Sequence, residues 1–269
     1  MTVAPPPRPA AVGTPRSTDA PPQSGAPTRL GPVQLVGIDG DDTLWRCQDL
    51  FDAAVQELGQ LLAGSAEPAA VADALHERET ENLSLFGYGA KGFTLSAIET
   101  VLEVGARAVD GTVVRAVLGI GRRLIEHPVE VLPGADDALA AIARTHPVVL
   151  VTKGDLVDQE RKLAESGLGR HLAHVEIVSE KSTGTYSDLL RTLGCPPEEF
   201  LMVGNSERSD VEPVLEIGGW AVHVPYRTTW RRELVEAPSV SHPRRRAAPT
   251  LADVPALIAP LSTRGPERP

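Results

Sequence analysis

Cysteine and aromatic side chains are scarce in this sequence, and each scarcity narrows the range of folds. The 269 residues include only Cys47 and Cys195, which cannot form a disulfide framework and fit a reducing compartment. Aromatic residues make up 4% of the chain, whereas apolar residues make up 42%, an ordinary share for a globular protein. Because Ala, Val and Leu supply most of that share, the composition favours helices packed on a buried parallel sheet over an all-β sandwich.

Further absences exclude classes of function. No apolar run reaches the roughly 18 residues of a membrane-spanning helix, so no membrane partner is predicted. The N-terminus lacks a basic region followed by an apolar core, so we predict no secretory signal and expect a cytoplasmic protein. The formal net charge of −10 argues against a nucleic-acid partner. The pattern gives no indication of the oligomeric state.

Both ends of the chain are predicted to be tails outside the folded part. The first 30 residues contain eight prolines, and such a segment cannot bury enough apolar surface to offset the entropy lost on ordering. We therefore predict a disordered tail over residues 1–31. Residues 236–269 are predicted to form a second tail, with a basic loop around Arg244, Arg245 and Arg246 and a short helix within residues 251–261.

Two periodicities divide the rest of the chain. Apolar residues recur at helical spacing through residues 48–127 without a strand pattern, which predicts an inserted all-helical module. Residues 32–47 and 128–235 alternate short buried strands with helices, which predicts a doubly wound parallel α/β sheet. The length of the chain fits one such domain carrying a smaller insert.

The helical module contains a glycine-rich loop with two interpretations. Residues 86–92 hold three glycines together with Tyr88 and Lys91. In the first interpretation the loop reaches the ligand crevice, where Tyr88 and Lys91 read the substrate and Lys91 offsets its negative charge. In the second, the glycines only permit a tight connection between two helices.

The first predicted strand ends in a dense group of acids. Residues 33–38 form a short apolar run rich in β-branched side chains, and Asp39, Gly40, Asp41 and Asp42 follow directly. Several carboxylates at the end of a buried strand are costly unless a positive charge lies among them. The alternative is that the carboxylates are solvated. For Asp42 we expect a solvated position or a role in capping a helix.

Polar side chains also follow the other predicted strands. Thr152 ends the run over residues 147–151, Lys181 follows the strand over residues 174–179, and Asn205 and Asp210 follow the strand over residues 200–204. Ligands of open parallel sheets bind outside the carboxyl ends of the strands. We therefore expect all these side chains to converge with Asp39 and Asp41 on one crevice.

This set of residue types suits metal-dependent phosphoryl transfer. A carboxylate can attack phosphorus, and a second acid can protonate the leaving oxygen and then activate water. Mg²⁺ is the natural counter-ion because it prefers hard oxygen ligands and needs only one or two carboxylates. A hydroxyl and an ammonium, from Thr152 and Lys181, could hold the phosphoryl oxygens; Lys153 is the alternative lysine.

The same residues resemble a known family. Asp39-Gly40-Asp41-Asp42-Thr43 resembles the DxDxT first motif of the haloacid dehalogenase-like (HAD) hydrolase superfamily. Thr152 resembles its second motif, Lys181 its third, and the stretch over residues 204–210 its fourth. The order and strand context agree over roughly residues 33–230. The resemblance implies a Rossmann-like core, with the helical module as a C1-type cap.

The resemblance also implies individual roles. Asp39 would be the nucleophile and Asp41 the general acid/base, and retention of an acid at position 41 favours phosphatases over the dehalogenase branch, which lacks it. Mg²⁺ would be bound by Asp39, the backbone carbonyl of Asp41 and the fourth motif, here Asn205 and Asp210. The expected partner is a small phosphorylated metabolite, cleaved through an aspartyl-phosphate.

One departure leaves alternatives open. Asn205 stands where the family commonly has Asp, and an amide oxygen can ligate Mg²⁺ but brings no negative charge. We therefore expect metal binding that is weaker than with two acids. The alternative functions are a degenerate member that binds a phosphorylated ligand or a partner protein without turnover, and a phosphotransferase or mutase.

Overall fold

The computed structural model describes residues 32–105, 109–236, 238 and 240–261. Within them the chain forms a single sheet with helices on both faces and an added group of helices. The predicted N-terminal tail, residues 1–31, lies outside the described residues. The strands are β1 (Leu35–Ile38), β2 (Val148–Lys153), β3 (His174–Val178), β4 (Phe200–Gly204), β5 (Trp220–His223) and β6 (Arg245–Ala247). The α-helices are α1 (Gln48–Leu61), α2 (Pro68–Phe86), α3 (Ala90–Val104), α4 (Gly111–Glu126), α5 (Ala135–Ala143), α6 (Leu156–Ser166), α7 (Thr183–Leu193), α8 (Glu212–Glu216) and α9 (Val254–Ile258).

The sheet is entirely parallel, with strand order β3-β2-β1-β4-β5-β6. The first strand lies near the centre, between β2 and β4. In its register Ile38 is opposite Leu150 on one side and Val203 on the other, so the neighbouring strands end close to the end of β1. This confirms the predicted doubly wound α/β class.

Alternating side chains of the central strands are buried on both faces of the sheet. Val36 and Ile38 pack into one apolar cluster with α5, while Leu35 packs into another with α7. Period-two alternation with both faces apolar is what a covered parallel sheet requires, and it explains the continuous apolar runs in the sequence. The strand ends are therefore held by the most rigid part of the molecule.

The predicted helical module, residues 48–127, contributes four helices, α1 to α4, and its described residues contain no named strand. These helices enclose an apolar cluster of their own, separate from the two clusters of the sheet. Asp110 caps α4 by accepting hydrogen bonds from the backbone nitrogens of Thr112 and Val113. We call α1 to α4, with their connecting loops, the cap.

The C-terminal prediction is wrong in part. Instead of a basic loop, Arg245–Ala247 forms β6 at the edge of the sheet, paired with β5. The guanidinium groups of Arg244 and Arg246 lie over the ring of Trp220, 6.0 and 5.1 Å from its centre. The short helix is present as α9, but Val254 and Ile258 are buried in the main apolar cluster, so the segment belongs to the core.

The described helices include none that combines the length and the apolar character needed to cross a membrane.

Candidate active site

A cavity of about 490 Å³ lies between the carboxyl edge of the sheet and the cap. Its floor includes Asp39, Asp41, Thr152, Lys181 and Asn205, which lie at or just after the carboxyl ends of four different strands. Its roof comes from α1, α2 and the start of α3, and its side wall from residues 229–233 after β5. The predicted convergence of the strand ends on one crevice is therefore what the fold produces.

Asp39 lies directly after β1 and is 6% exposed. One carboxylate oxygen accepts a hydrogen bond from Lys181 Nζ at 2.5 Å, and the other accepts one from Thr43 Oγ1 at 3.1 Å. Burial raises the pKa of Asp39, and the attraction of Lys181 opposes that rise. The ammonium of Lys181 therefore favours the ionised carboxylate that a nucleophile requires.

Lys181 links two carboxylates of the floor. Its Nζ also donates to Oδ1 of Asp210 at 2.6 Å, and its side chain is 1% exposed. The other oxygen of Asp210 accepts a hydrogen bond from the Ser206 backbone nitrogen at 3.0 Å. The structure thus gives Asp210 a role in holding Lys181, and any part for Asp210 in metal binding stays a prediction.

Asp41 is held by three donors from the core. Its Oδ1 accepts hydrogen bonds from Trp45 Nε1 at 2.7 Å and Lys162 Nζ at 2.9 Å, and its Oδ2 accepts one from Gln159 Nε2 at 2.9 Å. Burial alone would raise the pKa of Asp41, but Lys162 and the hydrogen bonds outweigh it and lower the pKa. The carboxylate is therefore both oriented and kept charged.

The side-chain amide of Asn205 faces two oxygens of the first motif. One end of this amide lies 3.2 Å from Asp39 Oδ2 and 3.3 Å from the backbone oxygen of Asp41. If the amide nitrogen is at that end, Asn205 donates hydrogen bonds to both oxygens. If the amide is turned over, its oxygen converges with the Asp39 carboxylate oxygen and the Asp41 carbonyl oxygen. Hard oxygens of these kinds are the ligands that Mg²⁺ takes, so the residues fit this ion.

The donor set for the ion depends on a backbone group and an amide. No group of three or more His, Cys, Asp or Glu side chains suited to a metal ion occurs among the residues that the structure describes. A search for clustered acidic and imidazole ligands would therefore overlook the three oxygens of Asp39, Asp41 and Asn205. The motif pattern finds them because it specifies positions relative to strand ends.

Thr152 lies on the floor beside the acidic turn. Its hydroxyl would be 3.1 Å from a Cβ atom added at Gly40, and the ring of Trp45 would be 2.8 Å from the same atom. Glycine at position 40 therefore lets the turn approach both side chains. Thr152 and Lys181 both line the cavity.

Asp42 has the capping role expected of it. Its carboxylate accepts hydrogen bonds from the backbone nitrogens of Cys47 and Gln48, at the start of α1. Burial raises the pKa of Asp42 to about 7. The residue adopts a positive φ of 63°, a conformation that Asp tolerates better than most side chains. Asp42 therefore fixes the entry into the cap.

The glycine-rich loop separates the two residues predicted there. Tyr88 lines the cavity, its hydroxyl donates to Glu180 at 2.6 Å, and Lys153 Nζ lies 4.3 Å from the centre of its ring. Lys91 does not line the cavity, because its ammonium is bound to both oxygens of Asp155 at the start of α6. The structure therefore does not bring Lys91 to the cavity beside Tyr88; instead, Lys91 joins the cap to the core.

Sequence reasoning missed several groups that line the cavity. Lys162 and Gln159 on α6 hold Asp41, but their helical spacing gave no sign of this contact. Glu233 accepts hydrogen bonds from Lys153 at 2.6 Å and from the hydroxyls of Ser206 and Ser209 at 2.5 Å each. Lys153 is therefore neutralised by Glu233, whereas Lys181 is the lysine bound to Asp39.

Comparison with known proteins is in line with this geometry. The family model described as haloacid dehalogenase-like hydrolase matches residues 33–218. A solved haloacid dehalogenase-like family hydrolase from Xanthomonas campestris is 40% identical, with a TM-score of 0.76, and the match covers 87% of this chain and 97% of that one. Among curated proteins, none matches.

Two more distant structures show the same fold. L-2-haloacid dehalogenase from Xanthobacter autotrophicus is 16% identical, with a TM-score of 0.57 and coverage of 84% of this chain and 98% of that one. The HAD hydrolase YfnB from Bacillus subtilis, bound to magnesium, is 15% identical, with a TM-score of 0.60 and coverage of 85% and 99%.

Proposed function

The chain belongs to the haloacid dehalogenase-like hydrolase family, and within it we propose that the protein is a Mg²⁺-dependent phosphatase. The proposed substrate is a small phosphorylated metabolite, cleaved through an aspartyl-phosphate on Asp39. The observation that carries this proposal is the convergence of Asp39 Oδ2, the Asp41 carbonyl oxygen and one end of the Asn205 amide within 3.3 Å. These three hard oxygens, one of which belongs to the buried carboxylate of Asp39, suit the binding of a divalent cation together with a phosphate.

In the first step the Asp39 carboxylate forms a bond to phosphorus while the bond from phosphorus to the ester oxygen breaks. Lys181 and Thr152 hold phosphoryl oxygens, and Asp41 gives the departing alcohol oxygen the proton that it took from water in the second step of the preceding cycle. Mg²⁺, held by Asp39, the Asp41 carbonyl and Asn205, would supply charge neutralisation for the phosphoryl group. The products of this step are the free alcohol and the aspartyl-phosphate.

In the second step Asp41 takes a proton from a water molecule, whose oxygen forms a bond to phosphorus. The bond between phosphorus and Asp39 breaks, and inorganic phosphate leaves with the Asp39 carboxylate restored. The contacts of Asp41 with Lys162 and Gln159 support its charged form, which is the form that accepts this proton. Cap residues over the floor would limit the access of bulk water between the steps.

The size of the cavity and the contacts of the cap support a small substrate. The enclosed volume of about 490 Å³ is in the range of metabolite sites. Hydrogen bonds from Tyr88 to Glu180 and from Lys91 to Asp155 join the cap to the core. A phosphorylated protein side chain would have to displace these contacts, whereas a metabolite need not.

Dehalogenation is the competing activity within the family. The acid at position 41 favours the phosphatase, because a dehalogenase needs no group that protonates an alcohol leaving group. The magnesium bound in YfnB also agrees with a metal-dependent reaction on this fold. A phosphotransferase would use the same floor but would need an acceptor hydroxyl in place of water.

The test measures release of phosphate from 4-nitrophenyl phosphate and from a panel of phosphorylated metabolites. We expect release with Mg²⁺, loss on adding a chelator, and a fall of at least about 10³-fold in Asp39→Asn, since the covalent route is removed. Asp188→Asn, which changes an exposed acid on α7, is the matched control and should keep full activity.

Chloride release from 2-chloropropionate is measured in parallel. Chloride release without phosphate release would assign the dehalogenase activity instead. Transfer of phosphate to added alcohols in preference to water would assign a phosphotransferase. If no compound in the panel is turned over in a Mg²⁺-dependent and Asp39-dependent way, the phosphatase proposal is refuted. The protein would then be assigned as a binding protein without turnover.

A further inference from the structure

One carboxylate in the cavity lacks a partner of its own. Glu79 lies on α2, whose cavity-facing residues follow helical spacing: Ala72, Leu75, His76, Glu79, Asn82, Leu83 and Phe86. Within the described part of the chain, no hydrogen bond or ion pair reaches Glu79. Burial raises the pKa of this carboxyl to about 7, with no neighbouring charge contributing to the shift.

The other carboxylates that line the cavity all accept hydrogen bonds from protein donors. Asp39 and Asp41 are bound as described above, and the backbone binds Asp42. Asp52, the other acid contributed by the cap, accepts hydrogen bonds from the side chains of Gln48 and Thr228 at 2.9 Å each. Among the described residues that line the cavity, Glu79 therefore differs from the other carboxylates, because its oxygens have no protein donor and can accept hydrogen bonds from a ligand.

The basic side chains that line the cavity are already neutralised. Lys181 and Lys162 bind the carboxylates of the first motif, and Lys153 binds Glu233. Arg231 is directed to Asp73 on α2, at 2.6 Å. The lining holds seven carboxylates against these four bases, so it has an excess of negative charge apart from any metal ion. None of these bases is paired with Glu79.

The cavity that Glu79 lines also has aromatic walls. Phe51, Phe86, Phe93 and Trp230 contribute rings to the same lining. The ring of Trp230 packs edge-on against His76 on one side and Tyr88 on the other, at centre distances of 6.4 and 5.9 Å. Aromatic faces and a carboxylate together are a recognised environment for an organic cation, which is attracted by both.

Resting on the proposed phosphatase function, we propose that Glu79 is a specificity-determining residue that binds a protonated amine on the leaving group of the substrate. The substrate class is then a phosphate ester of an amino alcohol or an aminoalkylphenol with an apolar body. Its phosphate lies on the floor, at Asp39 and Lys181, and its ammonium lies under α2. A cation beside Glu79 also favours the ionised carboxylate, so ligand binding and ionisation support each other.

The first test compares 4-(aminomethyl)phenyl phosphate with 4-methylphenyl phosphate, which has the same ring but no ammonium. We expect the wild-type protein to prefer the amine in kcat/KM. Glu79→Gln keeps the shape of the side chain, and it should lower kcat/KM for the amine by about tenfold to hundredfold, the usual effect of losing a charge-assisted hydrogen bond. For the methyl compound the change should stay within about twofold.

Glu77→Gln is the matched control, because Glu77 is exposed on the same helix and does not line the cavity. It should leave both substrates unaffected. Glu79→Gln should unfold at the same temperature as the wild type or above it, since a partly buried and unpaired carboxylate is removed. Equal losses for both substrates, or no preference for the amine in the wild type, would overturn the proposal.

A binding measurement separates this proposal from the phosphatase proposal. The corresponding pair of arylphosphonates cannot be cleaved, so calorimetry reports recognition even if no ester is hydrolysed. We expect tighter binding of the aminomethyl phosphonate, and loss of that difference in Glu79→Gln. Equal affinities, or no binding of either phosphonate, would refute the role of Glu79, whereas a retained difference without turnover would refute only the phosphatase.

Discussion

Lys162 donates a hydrogen bond to Asp41 across 121 residues of sequence, with 2.9 Å between Nζ and Oδ1. Its ammonium also lies 3.4 Å from Asp158, one turn earlier on α6. The pair is mostly shielded from water, with side-chain exposures of 12% for Lys162 and 28% for Asp41. Lys162 is therefore a positioning residue that sets the charge of the proposed general acid/base without contacting the reacting atoms itself.

Replacing Lys162 should move the pH dependence of the reaction. Lys162 lowers the pKa of Asp41, so removal of its positive charge in Lys162→Gln should raise that pKa. Ionisation of Asp41 is needed for the second step, and the acidic limb of the pH–rate profile should therefore move to higher pH. The measurement is kcat for phosphate release between pH 4 and pH 9.

Lys91→Gln provides a comparison, because Lys91 is bound to Asp155 outside the cavity. Its acidic limb should coincide with that of the wild type. An acidic limb that stays in place in Lys162→Gln would show that another group governs it.

Asn205→Asp should have opposite effects with and without Mg²⁺. A carboxylate 3.2 Å from Asp39 Oδ2 would repel it, so the free protein should unfold at a lower temperature than the wild type. With Mg²⁺ the added charge should tighten binding by at least about tenfold, since a unit charge a few ångströms away contributes up to about 4 kcal/mol at an effective dielectric constant near 20.

Calorimetric titration and thermal unfolding with and without MgCl₂ would measure both effects of Asn205→Asp. Asn205→Ala, which lacks an oxygen, should bind the ion more weakly than the wild type. Unchanged or weaker affinity in Asn205→Asp would remove position 205 from the ligand set.

Asp49 should make stability depend on acid pH. It accepts hydrogen bonds from Arg227 Nε at 2.8 Å, Tyr226 Oη at 2.5 Å and Arg46 Nε at 3.0 Å. Hydrogen bonding to Arg227 is the largest of the effects that lower the pKa of Asp49 from about 3.8 to about 2. Because the pKa of Asp49 is lower in the folded state than in the unfolded state, its ionisation stabilises the fold. This stabilisation is complete above about pH 4 and is lost as the pH falls towards 2.

The measurement is the free energy of unfolding of the wild type and Asp49→Asn from pH 2 to pH 7. Asp49→Asn should be less stable at neutral pH, and the difference should shrink between pH 4 and pH 2. High salt should also reduce the difference, because Arg227 is 64% exposed. A difference that is constant over the whole pH range would contradict the assigned charge.

Removing Glu233 should destabilise the side wall of the cavity. Its carboxylate neutralises Lys153, and both side chains are largely buried, with exposures of 11% and 13%. In Glu233→Ala the ammonium of Lys153 and two serine hydroxyls lose their acceptor. We therefore expect the free energy of unfolding, measured in urea, to fall by about 3 kcal/mol. Glu57→Ala breaks a pair whose side chains are more than half exposed, and should cost less than about 1 kcal/mol. Equal losses in the two variants would contradict this assignment.

The floor of the site could be predicted from the sequence because a repeating physical rule determines it. Apolar runs of the right length identify β1, β2 and β4, and the carboxyl ends of parallel strands lie at one edge of the sheet. Asp39, Thr152 and Asn205 are therefore neighbours once the strand assignment is correct. Lys181 follows in the same way from β3.

Contacts that depend on side-chain reach could not be predicted in this way. Lys162 meets Asp41, and Glu233 meets Lys153, through the angles at which a helix and a loop pack on the sheet, and no periodicity records those angles. The charge of Lys91 is visible in the sequence and makes substrate contact one of two interpretations, but no pattern connects it with Asp155, the N-cap residue of α6. The edge strand β6 was missed because it has three residues and two of them are arginines.

The distribution of contacts between cap and core has a consequence for turnover. A movement that separates the two parts breaks the bond of Tyr88 to Glu180 and that of Lys91 to Asp155. It leaves Asp41 with Trp45, Gln159 and Lys162, because all four residues belong to the core. Substrate can then be exchanged while the acid/base group keeps its orientation and its hydrogen-bond partners, so each cycle begins with that group already in place.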